Sequence, residues 1–301
     1  MMDIRKHRRI GTIFAHELIV KGNVFARCSR YLVYREEYRM HVMEDKYKAA
    51  YGVVEKFCFD REDPIKAINN MRFFPEGYDA FGIEDEELKI LRDRILEDFG
   101  FEMAELADFG KVLLKTGKYE FGTLAIMLLK KHRPRIDAYV MSAVKEWLDR
   151  GVENWAHADL IAIKLIPVFF ELELCTLESL ALWRDSESKW TRRAAIMCLH
   201  SLKSPLAADE ILSFVRPLLS DKEKVVQQAL GLCLADLWQK HNEPVESFLA
   251  ENKDSMDQLA LKNATAHMPI TIAKHFRKPN PRPKNPHTKH KPKFSKKGPK
   301  K

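Results

Sequence analysis

The chain has 301 residues, 46% hydrophobic and 31% charged, which is enough apolar material for a packed core and too much for a disordered polymer. Its five cysteines show no C-x-x-C spacing. Its longest apolar run, Leu160 to Phe170, is interrupted by Lys164 and falls short of the roughly 20 residues a bilayer needs, so a zinc site, a disulfide framework and a membrane-spanning helix are all disfavoured. The formal charge of +8 is unevenly placed: residues 274–301 carry 12 Lys or Arg and no acid, whereas residues 61–273 hold 27 basic against 35 acidic side chains.

In chain order, residues 1–60 carry a small basic excess and read as an N-terminal extension, partly helical and without an assigned role. Arg5, Lys6, Arg8 and Arg9 give the start a faint likeness to an organelle presequence, but no apolar signal core follows. Glu84 to Glu87 form an acidic run at a helix start, where carboxylates complement the helix dipole. Residues 61–273 read as one domain.

Within that domain four segments align, beginning at Tyr119, Trp155, Trp190 and Val225, so the repeat period is 35 to 36 residues. A second amphipathic stretch precedes each of the last three, ending at Trp147-Leu148-Asp149, Trp183-Arg184-Asp185 and Leu219-Ser220-Asp221. Apolar residues recur at three- and four-residue steps, as in Ile211, Phe214, Val215, Leu218 and Leu219, with no strand-like alternation. One unit is therefore helix, turn, helix. The Trp, Leu-Gly and Tyr pattern of tetratricopeptide repeats is missing, leaving an all-α, HEAT-like helical-repeat solenoid as the expected fold. Residues 274–301 are rich in Pro, Lys, His and Asn, a composition that cannot bury enough apolar area to order itself, so they read as a disordered basic tail.

Asp159 is the anomaly of the repeats. It opens the apolar run Leu160-Ile161-Ala162-Ile163, where the aligned positions hold Thr123, Ala194 and Ala229. A carboxylate near a helix core costs several kcal/mol unless it is paired or functionally exposed. Trp155 lies four residues before it, on the same helix face, and Trp190 and Arg193 share a face one repeat later, beside Arg192. Stacked repeats can bring these into one aromatic and ionic cleft. Read as residues alone, the two tryptophans serve equally as packing residues, Asp159 as a salt-bridge or helix-end residue, and the arginines as a solvated face. His157 projects away from this face and reads as an ordinary side chain.

The segments Asn154-Trp155-Ala-His-Ala-Asp159 and Trp183-Arg-Asp-Ser-Glu-Ser188-Lys-Trp190-Thr-Arg192-Arg193, with Tyr78-Asp-Ala-Phe-Gly-Ile83 upstream, resemble the AlkD-like DNA alkylation repair proteins, HEAT-like alkylpurine DNA glycosylases. The resemblance spans residues 64–262. It implies that Trp155 and Asp159 flank the sugar of an alkylated nucleotide and that Arg193 contacts the DNA backbone. It also implies hydrolysis without flipping the base into a pocket. One departure stands out: the family's second cleft Trp and the Arg three residues later correspond to Leu232 and Ala235 here.

The expectation is thus a monomeric repair glycosylase acting on duplex DNA with N3- or N7-alkylated purines. Asp159 and Trp155 are catalytic, Trp190, Arg193 and Arg192 bind DNA, and no metal or organic cofactor is required. The tail is expected to attract phosphate, on DNA or RNA. Buried free thiols suit a reducing compartment, here a cytoplasmic, nucleoid-associated location. Loss of the second Trp and Arg leaves a catalytically weakened or inactive DNA- or RNA-binding relative as the alternative, and a protein-interaction scaffold as a third reading.

Overall fold

A computed structural model describes residues 44–276, so the basic tail from residue 277 onward and residues 1–43, Cys28 among them, lie outside the described residues. The described part is all-helical. It divides after Ser204 into two compact units.

The first unit opens with α1 at residues 44–59, followed by α2 (Pro64–Met71), α3 (Asp85–Phe99), α4 (Met103–Leu114) and α5 (Tyr119–Lys131). It continues with α6 (Ala138–Arg150), α7 (Trp155–Lys164), α8 (Ile166–Glu171), α9 (Leu177–Arg184) and α10 (Lys189–Met197). The second unit holds α11 (Ala208–Val215), α12 (Lys224–Trp238), α13 (Asn242–Asn252), α14 (Gln258–Ala264) and α15 (Ile270–Phe276). No helix among the described residues is long and apolar enough to cross a membrane.

The four aligned segments open α5, α7, α10 and α12, and each expected partner stretch forms the helix before it, with Arg216–Ser220 continuing α11 as a short 3-10 turn. Short polar side chains start these helices. Asp137, Asn154, Thr176 and Ser188 accept from the third residue of α6, α7, α9 and α10, each satisfying one of the backbone donors a helix start leaves open. The run Leu160 to Phe170 breaks into α7 and α8 because Pro167 has no N–H to continue the ladder. Asp85, Glu86 and Glu87 occupy the first turn of α3, as the dipole argument requires.

Successive repeats are latched by the Asp at the end of α6. Asp149 accepts from Ser186 Oγ (2.9 Å) and Thr191 Oγ1 (2.7 Å) and pairs with Lys145 (2.6 Å). Burial pushes its carboxyl up, but these hydrogen bonds outweigh that and hold it below the usual carboxylate range.

Helix α1, from the stretch read as a partly helical extension, packs into the first unit. Ala50, Val54, Phe57 and Cys58 repeat at helical spacing and are buried, and Tyr47 packs its ring 5.9 Å from both Phe101 and Phe109. Cys58, Cys175, Cys198 and Cys233 are all buried and unbridged.

Candidate functional site on α7

Asn154 caps α7, its Oδ1 accepting from the His157 backbone N–H at 2.9 Å, which sets Trp155 at the first helical position and Asp159 one turn further on. Both are half-buried and share the face of α7 that continues to the exposed Ile163 and Lys164. The Trp155 indole is fixed twice: Nε1 donates to the carbonyl of Phe73 at 2.9 Å, and the ring stacks on Phe74 with centroids 5.4 Å apart and planes 17° from parallel.

Phe73 and Phe74 belong to the loop between α2 and α3, and that loop is tied to the start of α5. The Glu120 carboxylate, buried, accepts from the backbone N–H of Phe81 (2.9 Å), Gly82 (2.7 Å) and Ile83 (3.2 Å). Gly82 sits at φ +83°, and a Cβ there would lie 2.2 Å from the Asp63 carbonyl, so no other residue fits the turn. Phe74 stacks on Tyr78 at 4.4 Å, and Tyr78 contacts Tyr119 at 5.1 Å. Burial pushes the Tyr78 hydroxyl up to about 12 against the opposing hydrogen bond of Asn70, so it stays a neutral phenol.

Asp159 and Arg193 meet. Arg193 Nε donates to Oδ1 at 2.7 Å and a terminal nitrogen to Oδ2 at 2.8 Å, the parallel two-point geometry that makes arginine–carboxylate pairs strong. The guanidinium side is closed, with Arg193 only 1% exposed, whereas the Asp159 side chain keeps 14% of its surface open. The guanidinium expected on phosphate is thus paired with the carboxylate expected at the sugar. The guanidinium, enclosed between α7 and α10, fixes the orientation of the Asp159 carboxylate.

Trp190, expected as an aromatic wall, is 6% exposed, with Lys189 Nζ 5.0 Å from its ring centroid. Its indole is buried in this arrangement. Arg192 is half-buried and donates from one terminal nitrogen to the carbonyls of Ser186 and Glu187, both at 2.8 Å, so it braces the turn before its own helix. The structure thus pairs Asp159 with Arg193 and sets Trp155 one turn before Asp159 on α7, while Trp190 is buried and Arg192 is bonded to the turn before its own helix.

Residues 60–268 match the model of the DNA alkylation repair enzyme family, more than half of the chain. The chain belongs to the DNA alkylation repair enzyme family. Among solved structures, one described as "Predicted DNA alkylation repair enzyme from Enterococcus faecalis" is similar at 20% identity and a TM-score of 0.60. That match covers 69% of this chain and 97% of the other. At that identity the likeness speaks for the fold. A second, smu.31 from Streptococcus mutans UA159, is 18% identical with a TM-score of 0.49, covering 62% of this chain and 94% of the other. No curated protein matches.

In this member of the DNA alkylation repair enzyme family, the motif Tyr78 to Ile83 carries a role that sequence reasoning missed, as the stretch of chain that Glu120 clasps. The signal was available, since Glu120 is the lone acid in an aligned column otherwise holding Ala156, Thr191 and Val226. In the second unit, Leu232 of α12 is partly exposed, whereas Ala235 is 1% exposed and leaves no room for an arginine.

Proposed function

We propose that the chain is a DNA repair glycosylase-type hydrolase that binds duplex DNA and cleaves the N-glycosidic bond of cationic N3- or N7-alkylated purines. The observation that carries this reading is a partly open carboxylate, Asp159, held rigidly by Arg193 beside the half-buried indole of Trp155. An alkylated purine leaves as a neutral base, and positive charge develops on the sugar. A pre-oriented carboxylate opposes that charge, and such fixed electrostatics are usually the largest catalytic contribution.

Each Asp159 oxygen keeps an acceptor site beyond the guanidinium fork, enough to orient an attacking water. The indole face beside the cationic sugar or base contributes about 0.5 to 2 kcal/mol. Arg193 is a positioning residue in this scheme, and the chemistry draws on protein side chains alone. The basic tail adds attraction to phosphate that does not depend on sequence. On this reading the protein works as a monomer in the cytoplasm, with the chromosome.

A DNA-binding protein without catalysis is the second reading. It is favoured by the engagement of both Asp159 oxygens by Arg193 and by the burial of Trp190. The test is release of 7-methylguanine or 3-methyladenine from methylated duplex, read by mass spectrometry. The wild-type chain releases base and Asp159→Asn does not, while both bind the duplex equally. Equal release by Asp159→Asn removes Asp159 from the mechanism, and binding without release by either protein establishes the second reading.

A further inference from the structure

A second group of side chains lies past the C-terminal end of the site helix. Lys164, five residues after Asp159, ends α7; Lys130 and Lys131 end α5, with Arg133 in the turn that follows; Lys89 and Arg92 lie on α3, which packs against α5. Ion pairs fix the arrangement. Asp93 receives both Arg92 (2.8 Å) and Lys131 (3.3 Å), joining α3 to the end of α5, and Arg133 pairs with Glu171 of α8 at 2.6 Å. Lys89 pairs with Glu86 of its own helix.

Six cations are thus met by three carboxylates, in a stretch of chain, residues 61–273, that is acidic as a whole. Lys130 and Lys164 are exposed and form no ion pair among the described residues. Partial burial pushes the Lys130 ammonium below the ordinary lysine range, and the positive charges of Lys164, Arg92, Lys89 and Arg133 push it further the same way.

A solvated helix end explains part of this and not the rest. Cations at the C-termini of α5 and α7 gain from the helix dipole, but Lys89 and Arg92 lie within the first eight residues of α3, where the dipole offers them nothing. Like charges gathered at a cost, two of them without an internal partner, point to an anion supplied from outside.

We propose that Lys89, Arg92, Lys130, Lys131, Arg133 and Lys164 form a binding site for the backbone phosphates of a nucleic acid, flanking the carboxylate and indole on α7. The proposal rests on the reading of the chain as acting on DNA, and it supplies phosphate contacts from exposed cations, whereas the Arg193 guanidinium is enclosed against Asp159. Lys130 and Lys164 are its centre, because a phosphate there replaces mutual repulsion with attraction. The interaction is electrostatic and blind to base sequence.

The test uses the full chain and a short, undamaged, fluorescein-labelled duplex, with affinity read by anisotropy over roughly 50 to 200 mM salt. Lys130→Gln with Lys164→Gln weakens binding and lowers the slope of log affinity against log salt by about 2, one for each phosphate that is no longer neutralised. The corresponding double change to Arg keeps the wild-type slope. Lys56→Gln, which removes a cation paired with Asp60 on α1, leaves the slope unchanged.

An unchanged slope in the double Gln variant, or an equal drop in Lys56→Gln, overturns the proposal, as does a large fall in thermal stability showing that the lysines serve the fold. Base release from methylated duplex separates the two readings. Release with an unchanged slope keeps the glycosylase and removes this site, and a lowered slope without release by the wild type does the reverse.

Discussion

The ring of His157 is enclosed beneath the site helix, and its contacts specify one tautomer. Nε2 lies 2.9 Å from the Tyr119 carbonyl and must donate to it, while Nδ1, 3.0 Å from Asn154 Nδ2, accepts. The ring also stacks on Tyr119 at 5.0 Å, and Gly122 leaves the space it fills, since a Cβ there would come within 2.4 Å of the imidazole. Burial pushes His157 from its ordinary value of 6.5 down to about 4, only partly opposed by the Tyr119 carbonyl. The unfolded chain therefore binds the extra proton first as pH falls. The stability tied to neutral His157 is present above pH 6.5 and is lost between pH 6.5 and about 4, up to about 3 kcal/mol in all. Because carboxylates titrate in the same window, the measurement is a comparison. The unfolding free energy of His157→Gln, followed from pH 7 to 4.5 by urea titration, declines less than that of the wild type, and parallel curves refute the assignment.

At the scale of elements, the repeats were legible because their period is set by neighbours a few residues apart: apolar spacing, turn residues, and the Asp that ends each leading helix. A shared cleft for Asp159 and Arg193 was legible too, but not that the guanidinium closes on the carboxylate, because that depends on how two helices rotate against each other. A modest rotation separates an arginine aimed at solvent from one aimed at the preceding repeat. The loop between α2 and α3 was less legible still. It has no periodicity, and what holds it is a carboxylate 37 to 39 residues further along, bonded to three backbone donors. Glu120→Ala leaves all three donors buried and unmet, at about 1 to 3 kcal/mol each. The variant is expected to melt about 10 °C or more below the wild type. Because Phe73 and Phe74 sit on the same loop, the Trp155 indole becomes more accessible to acrylamide quenching than in the wild type at a temperature where both are folded. A wild-type melting point with unchanged quenching means that the loop is held by other interactions.

For the molecule as a whole, the family match begins at residue 60, and a boundary near there looks natural from charge and composition. The packing places it earlier. Helix α1 buries Ala50, Val54, Phe57 and Cys58, stacks Tyr47 on Phe109, and sets Tyr51 edge-on to Phe121 at 5.7 Å. Lys46 pairs with Glu105 of α4 at 2.6 Å. Val54 and Phe57 alone account for about 3 to 6 kcal/mol of apolar burial, and their removal also opens Phe109 and Phe121, core residues of α4 and α5, to water. A chain begun at residue 61 is thus expected to lose most of the first unit's stability, melting at least about 10 °C below one begun at residue 44, or to aggregate through the uncovered aromatic face. The Trp155 indole should loosen with it, because the start of α5 carries Glu120, and Glu120 holds the loop on which that indole rests. Differential scanning calorimetry of the two truncations decides the matter: coincident transitions mean that α1 is an accessory, and the domain then begins where the family match does.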